Sequence, residues 1–81
     1  MNFTLYSKLN CNACDVAKDL LKKNNIEFTE YVVGKDISKE ELLWVIPGSK
    51  VLPQAICDGK IIGNWLGIEQ FIKDYNADRE K

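Results

Sequence analysis

Residues 3–23 read FTLYSKLNCNACDVAKDLLKK, and this stretch contains a strand pattern, a cysteine pair and a helix pattern in direct succession. The aromatic and β-favouring residues from Phe3 to Ser7 predict a short strand. Apolar residues from Ala13 to Leu21 then follow the spacing i, i+3, i+4, i+7, i+8, which predicts an amphipathic helix. The two cysteines, Cys11 and Cys14, fall where the strand pattern gives way to the helix pattern.

A cysteine pair at the start of a helix is suited to thiol–disulfide exchange. The unpaired N–H groups and partial positive charge of a helix N-terminus favour a thiolate, which is the nucleophile. A second thiol one turn later can attack the disulfide that the first one forms. We therefore expect Cys11 to be the exposed nucleophile and Cys14 to be the buried resolving thiol. The alternative is a pair of small buried hydrophobic side chains, which the position between strand and helix makes the weaker interpretation.

The composition excludes most other uses of these cysteines. The chain has 81 residues, three cysteines and no histidine. Three cysteines without histidine cannot complete a four-ligand zinc site within one chain. The missing histidine also excludes a Cys-His hydrolase and a Cys-x-x-Cys-His haem attachment. We therefore expect no metal site, and thiol–disulfide exchange needs no organic cofactor.

Charge and hydropathy limit the partners and the location of the chain. The net charge is −1, from 11 basic and 12 acidic residues, whereas nucleic-acid-binding domains usually carry a basic surplus. No segment has the apolar length of a membrane span, and residues 1–8 lack the features of a signal peptide. We expect one domain over residues 1–81, with a frayed polar tail at residues 76–81, in the cytoplasm (the host cytoplasm if the protein is viral) and without nucleic-acid or membrane partners.

The rest of the chain predicts three more strands. Glu27 to Val33 and Val51 to Cys57 have strand composition. Asp58-Gly59 is a strong two-residue hairpin signal, and it leads into a returning strand at Lys60 to Gly63. Gly67, four residues further on, is interpreted as a loop glycine.

Two more helices complete the pattern. Ser38 and Glu41 match a capping box, which predicts a short helix with an apolar body at Leu42 to Ile46. Apolar residues between Ile68 and Tyr75 predict a last helix, with Asn64 as its cap. The order β-α-β-α-β-β-α predicts an α/β fold with a four-stranded mixed sheet flanked by three helices, in which the first two strands are parallel.

Three further residues have a structural and a functional interpretation, and a fourth has a structural one only. Lys8 is a solvated lysine, or it stabilises the Cys11 thiolate or a substrate carboxylate. Pro53 inside a strand pattern indicates an edge strand, because most X-Pro bonds are trans; the functional alternative is a cis-proline that turns the backbone toward the cysteines. Trp65 is a core anchor for the last helix or a wall of a groove, and Cys57 is interpreted as a packed spare thiol.

The order of these motifs resembles the glutaredoxins, within the thioredoxin-fold superfamily, over about residues 3–73. Lys8 followed by the Cys11–Cys14 segment is similar to the lysine and Cys-Pro-Tyr-Cys of that family. Val51–Gln54 resembles its Thr-Val-Pro-Gln segment, whose proline is cis, and Ile62–Asn64 resembles its Ile-Gly-Gly segment. The small size and the Pro-Gly-Ser-Lys stretch at residues 47–50 are similar to phage and bacterial members with two active-site cysteines.

This resemblance implies a thioredoxin fold and a glutathione site. It implies that Pro53 is cis and faces the first cysteine, and that Lys8 contacts a glutathione carboxylate. The backbone of Leu52 would pair with the cysteinyl part of glutathione. Trp65 and Leu66 would offer backbone N–H groups to the γ-glutamyl carboxylate.

The chain departs from the family pattern inside this expected site. Asn12 replaces the usual proline and so restores an N–H donor near the Cys11 sulfur, which should favour the reduced dithiol. Ala13 replaces the usual tyrosine and removes an aromatic face that would pack on glutathione. Leu66 and Gly67 stand where acidic residues usually bind the glutathione amine. The resemblance therefore implies a glutathione site that includes Asn12 and Ala13 but has fewer contacts.

The residues and the resemblance together indicate a monomeric thiol–disulfide oxidoreductase. It would reduce protein disulfides and glutathione mixed disulfides through Cys11 and Cys14, with glutathione as the co-substrate that recycles it. Ribonucleotide reductase is the protein partner that the resemblance implies. The alternatives are a redoxin recycled by thioredoxin reductase, a glutathione-dependent iron–sulfur cluster carrier, and a binding module that keeps only the fold.

Overall fold

The structure, a computed structural model, describes residues 2–79. Its helices and strands follow the predicted order β-α-β-α-β-β-α, with boundaries close to those that the sequence patterns indicate. The elements are β1 (Phe3–Ser7), α1 (Asn12–Lys23), β2 (Phe28–Val32), α2 (Lys39–Val45), β3 (Gln54–Cys57), β4 (Lys60–Gly63) and α3 (Trp65–Arg79).

The strands form one mixed sheet in the order β2-β1-β3-β4. β1 and β2 are parallel, as expected for strands joined by a helix, whereas the β1–β3 and β3–β4 pairs are antiparallel. Asp58 and Gly59 join β3 to β4 with φ values of 52° and 80°, the positive values that a tight hairpin turn requires. The predicted four-stranded mixed sheet and its hairpin are confirmed.

The third strand differs from its prediction at its N-terminal end. β3 begins at Gln54, not at Val51, and it lies inside the sheet between β1 and β4. Pro53 stands just before the strand because proline has no N–H to donate to the ladder. The Leu52–Pro53 peptide bond is cis. The edge-strand interpretation of Pro53 is therefore wrong, and the cis-proline that the resemblance implies is confirmed.

The helices cover both faces of the sheet. Because side chains alternate along a strand, Phe3 and Leu5 point to one face of β1 and Tyr6 to the other. Phe3 and Leu5 are buried against α1 and α3, in a cluster that also contains Ala17, Leu21, Ile26, Ala55, Cys57, Ile68 and Ile72. Tyr6 is buried against α2, in a smaller cluster with Leu42 and Ile46.

Two helices begin where their caps predict. The Ser38 hydroxyl accepts a hydrogen bond from the Glu41 N–H at 3.1 Å, and the Glu41 carboxylate accepts one from the Ser38 N–H at 3.0 Å. This capping box supplies partners for backbone groups at the start of α2. The side-chain oxygen of Asn64 accepts a hydrogen bond from the Leu66 N–H in the first turn of α3. Both predicted caps are confirmed.

The last helix differs from its prediction at Gly67 and at its C-terminal end. Gly67, interpreted from the sequence as a loop glycine, lies in the first turn of α3, where a Cβ atom would stand 2.0 Å from the Ile62 carbonyl oxygen. Only glycine allows the helix and β4 to approach this closely. At the other end α3 continues to Arg79, and the Asn76 amide donates a 2.8 Å hydrogen bond to the side chain of Asn24, the C-cap residue of α1.

The tail predicted at residues 76–81 is thus helical as far as Arg79, and residues 80 and 81 lie outside the described residues. The contact between the two asparagine side chains gives the helix a partner beyond the point where its apolar pattern stops. Within residues 2–79, no helix combines the length and the apolar character that crossing a membrane requires.

Candidate redox site

Three chain segments meet at the end of the sheet where β1 finishes. The β1–β3 register pairs Tyr6 with Gln54, so the next position along each strand places Pro53 beside Ser7. The β3–β4 register pairs Ala55 with Gly63, so the start of α3 lies toward the same end. The loop at residues 8–11 also leaves β1 here. The cysteines, the cis-proline and the β4–α3 junction are thus placed together by strand register.

The Cys11–Cys14 pair spans the first turn of α1. Cys11 is the N-cap residue, with extended backbone angles of φ −116° and ψ 104°. The two sulfurs lie at disulfide-bonding distance, and the Cα atoms are 5.2 Å apart, within the range of roughly 4.4–6.8 Å that disulfides allow. The Cys14 N–H donates a 3.2 Å hydrogen bond to the Cys11 sulfur. The first cysteine thus caps the helix with its own sulfur, and the helix directs an N–H group at it.

The two sulfurs differ less in exposure than the sequence suggests. Cys14 is fully buried, as expected of a resolving thiol. Cys11 retains an exposed fraction of 8%, so the expectation of an exposed nucleophile needs correction. Its sulfur accepts the Cys14 N–H and lies at bonding distance from the Cys14 sulfur. Cys11 is therefore only slightly more exposed than Cys14.

A polar network lies on the α1 side of the sheet at the same end. The buried Ser7 hydroxyl donates a 2.6 Å hydrogen bond to the Glu30 carboxylate of β2, and the Lys18 ammonium of α1 lies 3.2 Å from the same oxygen. The Ser7 hydrogen bond, above all, holds the pKa of Glu30 below its ordinary value. The Glu30 carboxylate, in turn, raises the pKa of Lys18. This network joins β1, β2 and α1 below the cysteine loop, and sequence reasoning did not identify it.

Two of the predicted glutathione contacts line one cleft. Lys8, in the loop before Cys11, and Leu52, beside the cis-proline, both border a cleft of about 450 Å³ between that loop, α2 and residues 49–52. The Leu52 side chain packs against the buried cluster around Tyr6 on the α2 side. The structure therefore brings together Lys8 and Leu52, which are 44 positions apart in the sequence.

The other predicted contacts lie outside this cleft. Asn12 and Ala13 are exposed in the first turn of α1. Trp65 packs against the main core, which agrees with its interpretation as an anchor for α3. The Leu66 side chain is 71% exposed, and its backbone N–H already donates to Asn64 at 3.2 Å. The N–H expected to bind the γ-glutamyl carboxylate thus has a partner within the chain.

Sequence reasoning missed several residues around the cleft. Lys39 and Lys50 line it together with Lys8, and the Ser49 hydroxyl oxygen is buried there without a hydrogen-bond partner among the described residues. The Gln54 side chain is buried and donates a 3.0 Å hydrogen bond to the Val51 carbonyl, which braces the segment before the cis-proline. Only the positive charge of the two lysines was visible in the sequence.

Cys57 lies at the far end of β3, away from the redox pair. It pairs with Phe3 at the start of β1, whereas Cys11 follows the end of that strand. The buried thiol has a raised pKa, caused mainly by burial and additionally by the neighbouring Asp58 carboxylate. Its interpretation as a packed spare thiol agrees with this position.

The chain has recognisable relatives. A family model described as Glutaredoxin matches residues 3–62. The structure is similar to glutaredoxin 1 from Francisella tularensis, with a TM-score of 0.77 and 19% identity over 94% of this chain and 96% of that chain. It is also similar to a buckwheat glutaredoxin–glutathione complex, with a TM-score of 0.75 and 21% identity over 89% of this chain and 68% of that chain.

A third similar structure is the glutaredoxin-like protein NrdH-redoxin from Escherichia coli, described as having a thioredoxin-like activity profile. It has a TM-score of 0.72 and 18% identity over 91% of this chain and 93% of that chain. These identities establish a shared fold. No curated protein matches the chain in sequence.

Proposed function

Because the chain belongs to the glutaredoxin family, we propose that it reduces protein disulfides and glutathione mixed disulfides through Cys11 and Cys14, with glutathione as the reductant. One observation carries the proposal. The two sulfurs lie at disulfide-bonding distance at the start of a helix, and the Cys14 N–H donates to the Cys11 sulfur. That N–H and the helix N-terminus stabilise negative charge on Cys11, which makes it the attacking thiolate.

The exchange proceeds in two displacements. The Cys11 thiolate attacks one sulfur of the substrate disulfide, a mixed disulfide forms, and the other substrate sulfur leaves as a thiolate. The Cys14 thiolate then attacks the Cys11 sulfur, the intramolecular disulfide forms, and the second substrate sulfur leaves. Two electrons have passed from the protein to the substrate. Two glutathione molecules then reduce the pair and leave as glutathione disulfide, so the cycle uses no resident cofactor.

Glutathione would bind along the cleft beside the cysteines. Lys8 would supply an ammonium group for a glutathione carboxylate, and the backbone of Leu52, the residue before the cis-proline, would pair with the cysteinyl part. Trp65 and Leu66 would supply backbone N–H groups at the start of α3. The similarity to the buckwheat glutaredoxin–glutathione complex supports this assignment at the level of the fold.

A mixed-disulfide reduction assay with glutathione tests this function. We expect Cys11→Ser to be inactive, since it removes the nucleophile. Cys14→Ser should keep part of its activity toward glutathione mixed disulfides, where glutathione itself can resolve the intermediate, and should lose activity toward protein disulfides. Activity that survives in Cys11→Ser would contradict the proposal and favour a module that keeps only the fold.

A second candidate differs only in the source of electrons. The Leu66 N–H is already occupied by Asn64, which reduces the donors available to glutathione. The fold is also similar to that of NrdH-redoxin, a glutaredoxin-like protein with a thioredoxin-like activity profile. Recycling by thioredoxin reductase is therefore the alternative. Steady-state turnover with NADPH and either glutathione plus glutathione reductase or thioredoxin reductase separates the two, and turnover with thioredoxin reductase alone would reject the glutathione version.

A further inference from the structure

The cleft beside the redox pair is unusually cationic for this chain. Its charged lining residues are Lys8, Lys39 and Lys50, and no carboxylate lines it, although the chain as a whole has a net charge of −1. Among residues 2–77, whose side chains the structure describes, Lys18 pairs with Asp15 and Glu30 and Lys73 pairs with Glu69, and no ion pair involves a lysine of the cleft. The three ammonium groups are therefore available to a ligand.

The acidic residues nearest to this cleft in sequence are engaged or directed elsewhere. The Glu41 carboxylate accepts the Ser38 N–H within the capping box, and the Asp36 carboxylate accepts the Val32 N–H at 2.9 Å. Glu40 lines a second hollow along α2, and Leu43 borders both that hollow and the cleft. None of these three carboxylates lines the cleft, so a ligand inside it meets positively charged side chains and no negatively charged one.

A buried hydroxyl in the cleft lacks a partner. The Ser49 oxygen is inaccessible to solvent and has no hydrogen bond among the described residues, although Ser49 lines the cleft. A buried polar group without a partner is unfavourable, so such groups are usually satisfied in the working state of a protein. Because this oxygen is inaccessible, a ligand acceptor in the cleft can bind it only if the side chains that cover it move.

The remaining lining is apolar and partly exposed. Val51 is 55% exposed and Leu43 is 40% exposed, and both border the cleft together with Val33, Leu42 and Leu52. Leu9, 70% exposed, lies in the loop between Lys8 and Cys11. Apolar surface that is continuous with a cationic cleft fits a peptide segment with mixed acidic and apolar side chains.

We propose that this cleft binds an acidic segment of the protein substrate, adjacent to the disulfide that Cys11 attacks. The inference rests on the proposed function and names its preferred substrate class. The proposed glutathione site uses Lys8, whereas Lys39 and Lys50 add two further positive charges to the same cleft. Two or more carboxylates on one side of a substrate cysteine would fill it.

Single-turnover reduction of synthetic peptides tests the inference without a recycling system. The reduced protein is mixed with peptides that contain one internal disulfide and differ only in the flanking residues: Asp and Glu, Asn and Gln, or Lys. The Cys11–Cys14 dithiol is oxidised, and the peptide disulfide takes up two electrons and two protons to become a dithiol. The acidic peptide should react about ten-fold faster than the amide peptide at about 20 mM salt, and the ratio should approach one at about 500 mM salt.

Charge-removing variants locate the effect in the cleft. Lys39→Gln and Lys50→Gln should each lower the acidic-to-amide rate ratio by about two- to five-fold, the usual range for one exposed ion pair. Lys60→Gln is the matched control, because Lys60 is an exposed lysine in β4 outside this cleft, and it should leave the ratio unchanged.

Ser49→Ala supplies a readout that a purely structural role would not give. It removes a buried hydroxyl that lacks a partner in the free protein, so the variant should be as stable as the parent or more stable. If an acidic ligand satisfies this hydroxyl, the same variant should reduce the acidic peptide more slowly. An unchanged rate together with unchanged lysine variants would overturn the inference.

The outcomes separate this inference from the proposed function. Equal rates for acidic and amide peptides, or a faster rate for the basic peptide, would overturn the inference and leave thiol–disulfide exchange intact. Failure to reduce any of the three peptides would overturn the proposed function itself.

Discussion

The backbone N–H of Leu66 donates a hydrogen bond to the side-chain oxygen of Asn64 at 3.2 Å. Asn64 thereby caps α3, since the first N–H groups of a helix have no partner within it. The glutathione site proposed above needs the same N–H for the γ-glutamyl carboxylate. The cap and the ligand therefore compete for one donor, and this competition bears directly on which reductant the protein uses.

Replacing Asn64 by glycine should improve the use of glutathione. Glycine is a tolerated N-cap residue and costs only a few tenths of a kcal/mol, but it has no side chain to accept the Leu66 N–H. We expect the glutathione KM of Asn64→Gly to fall by about three-fold in the mixed-disulfide assay. The free energy of that change is smaller than the net contribution of one typical hydrogen bond.

Asn64→Asp is the matched control for this prediction. Its carboxylate keeps an acceptor for the Leu66 N–H and repels the glutathione carboxylate, so its KM should be equal to that of the parent or higher. A KM that is unchanged in Asn64→Gly would show that this N–H takes no part in glutathione binding.

The Ser7–Glu30–Lys18 network should make stability dependent on pH. Because the folded pKa of Glu30 is below its ordinary value of 4.5, its contribution is complete above pH 4.5 and is lost as the pH falls through the folded pKa. Glu30→Gln should therefore lower the free energy of unfolding by about 1 kcal/mol at neutral pH, and the difference from the parent should shrink in acid. Urea unfolding at neutral and acidic pH measures it.

Glu27→Gln is the control for this pH dependence, because Glu27 is an exposed carboxylate just before the same strand. It should change stability by less than about 0.5 kcal/mol. If Glu30→Gln remains equally destabilised in acid, the network stabilises the fold through packing and not through the charge of the Glu30 carboxylate.

Cys57 should react slowly in the folded protein. Burial, and then the Asp58 carboxylate, raise the pKa of this thiol, so little thiolate is present at neutral pH. With Cys11 and Cys14 held as the disulfide, we expect alkylation by iodoacetamide to be at least about ten-fold slower than in the unfolded chain. Mass spectrometry of quenched samples measures the rate.

Asp58→Asn tests the cause of the low reactivity at Cys57. Asparagine also tolerates the φ of 52° at this position, and its side-chain oxygen can still accept the Asn2 N–H. Removing the charge should make alkylation modestly faster. A rate in the parent equal to that of the unfolded chain would contradict the buried position of this thiol.

Gly67→Ala should be strongly destabilising. The added Cβ would stand 2.0 Å from the Ile62 carbonyl oxygen, a backbone atom that cannot move aside without shifting β4. We expect a loss of about 2 kcal/mol or more in urea unfolding, in the upper part of the range for overpacking. Gln70→Ala, at an exposed position of the same helix, should be neutral within about 0.5 kcal/mol. Equal stabilities of the two variants would contradict this close approach.

Much of this architecture could be predicted because its signals are local. Each signal lies within one short stretch of consecutive residues. Examples are the capping box at Ser38 and Glu41, the Asp58-Gly59 turn and the apolar stripe of α1. The start of β3 was predicted incorrectly because β-favouring residues at Val51 and Leu52 extend the pattern past a proline that cannot join the ladder. The length of α3 was underestimated because its final turns are held by a contact to a distant helix, not by an apolar stripe.

The sequence by itself determined the dithiol, since the three-residue spacing of Cys11 and Cys14 at a helix start brings the two sulfurs within bonding distance. Only the tertiary structure decided what surrounds it. Lys8, Lys39 and Lys50 share a cleft because strand register and the packing of α2 bring three separate segments to one end of the sheet. The spacing of apolar residues that predicts a helix or strand involves only a few neighbouring positions. Contacts between distant segments depend instead on how whole helices and strands pack.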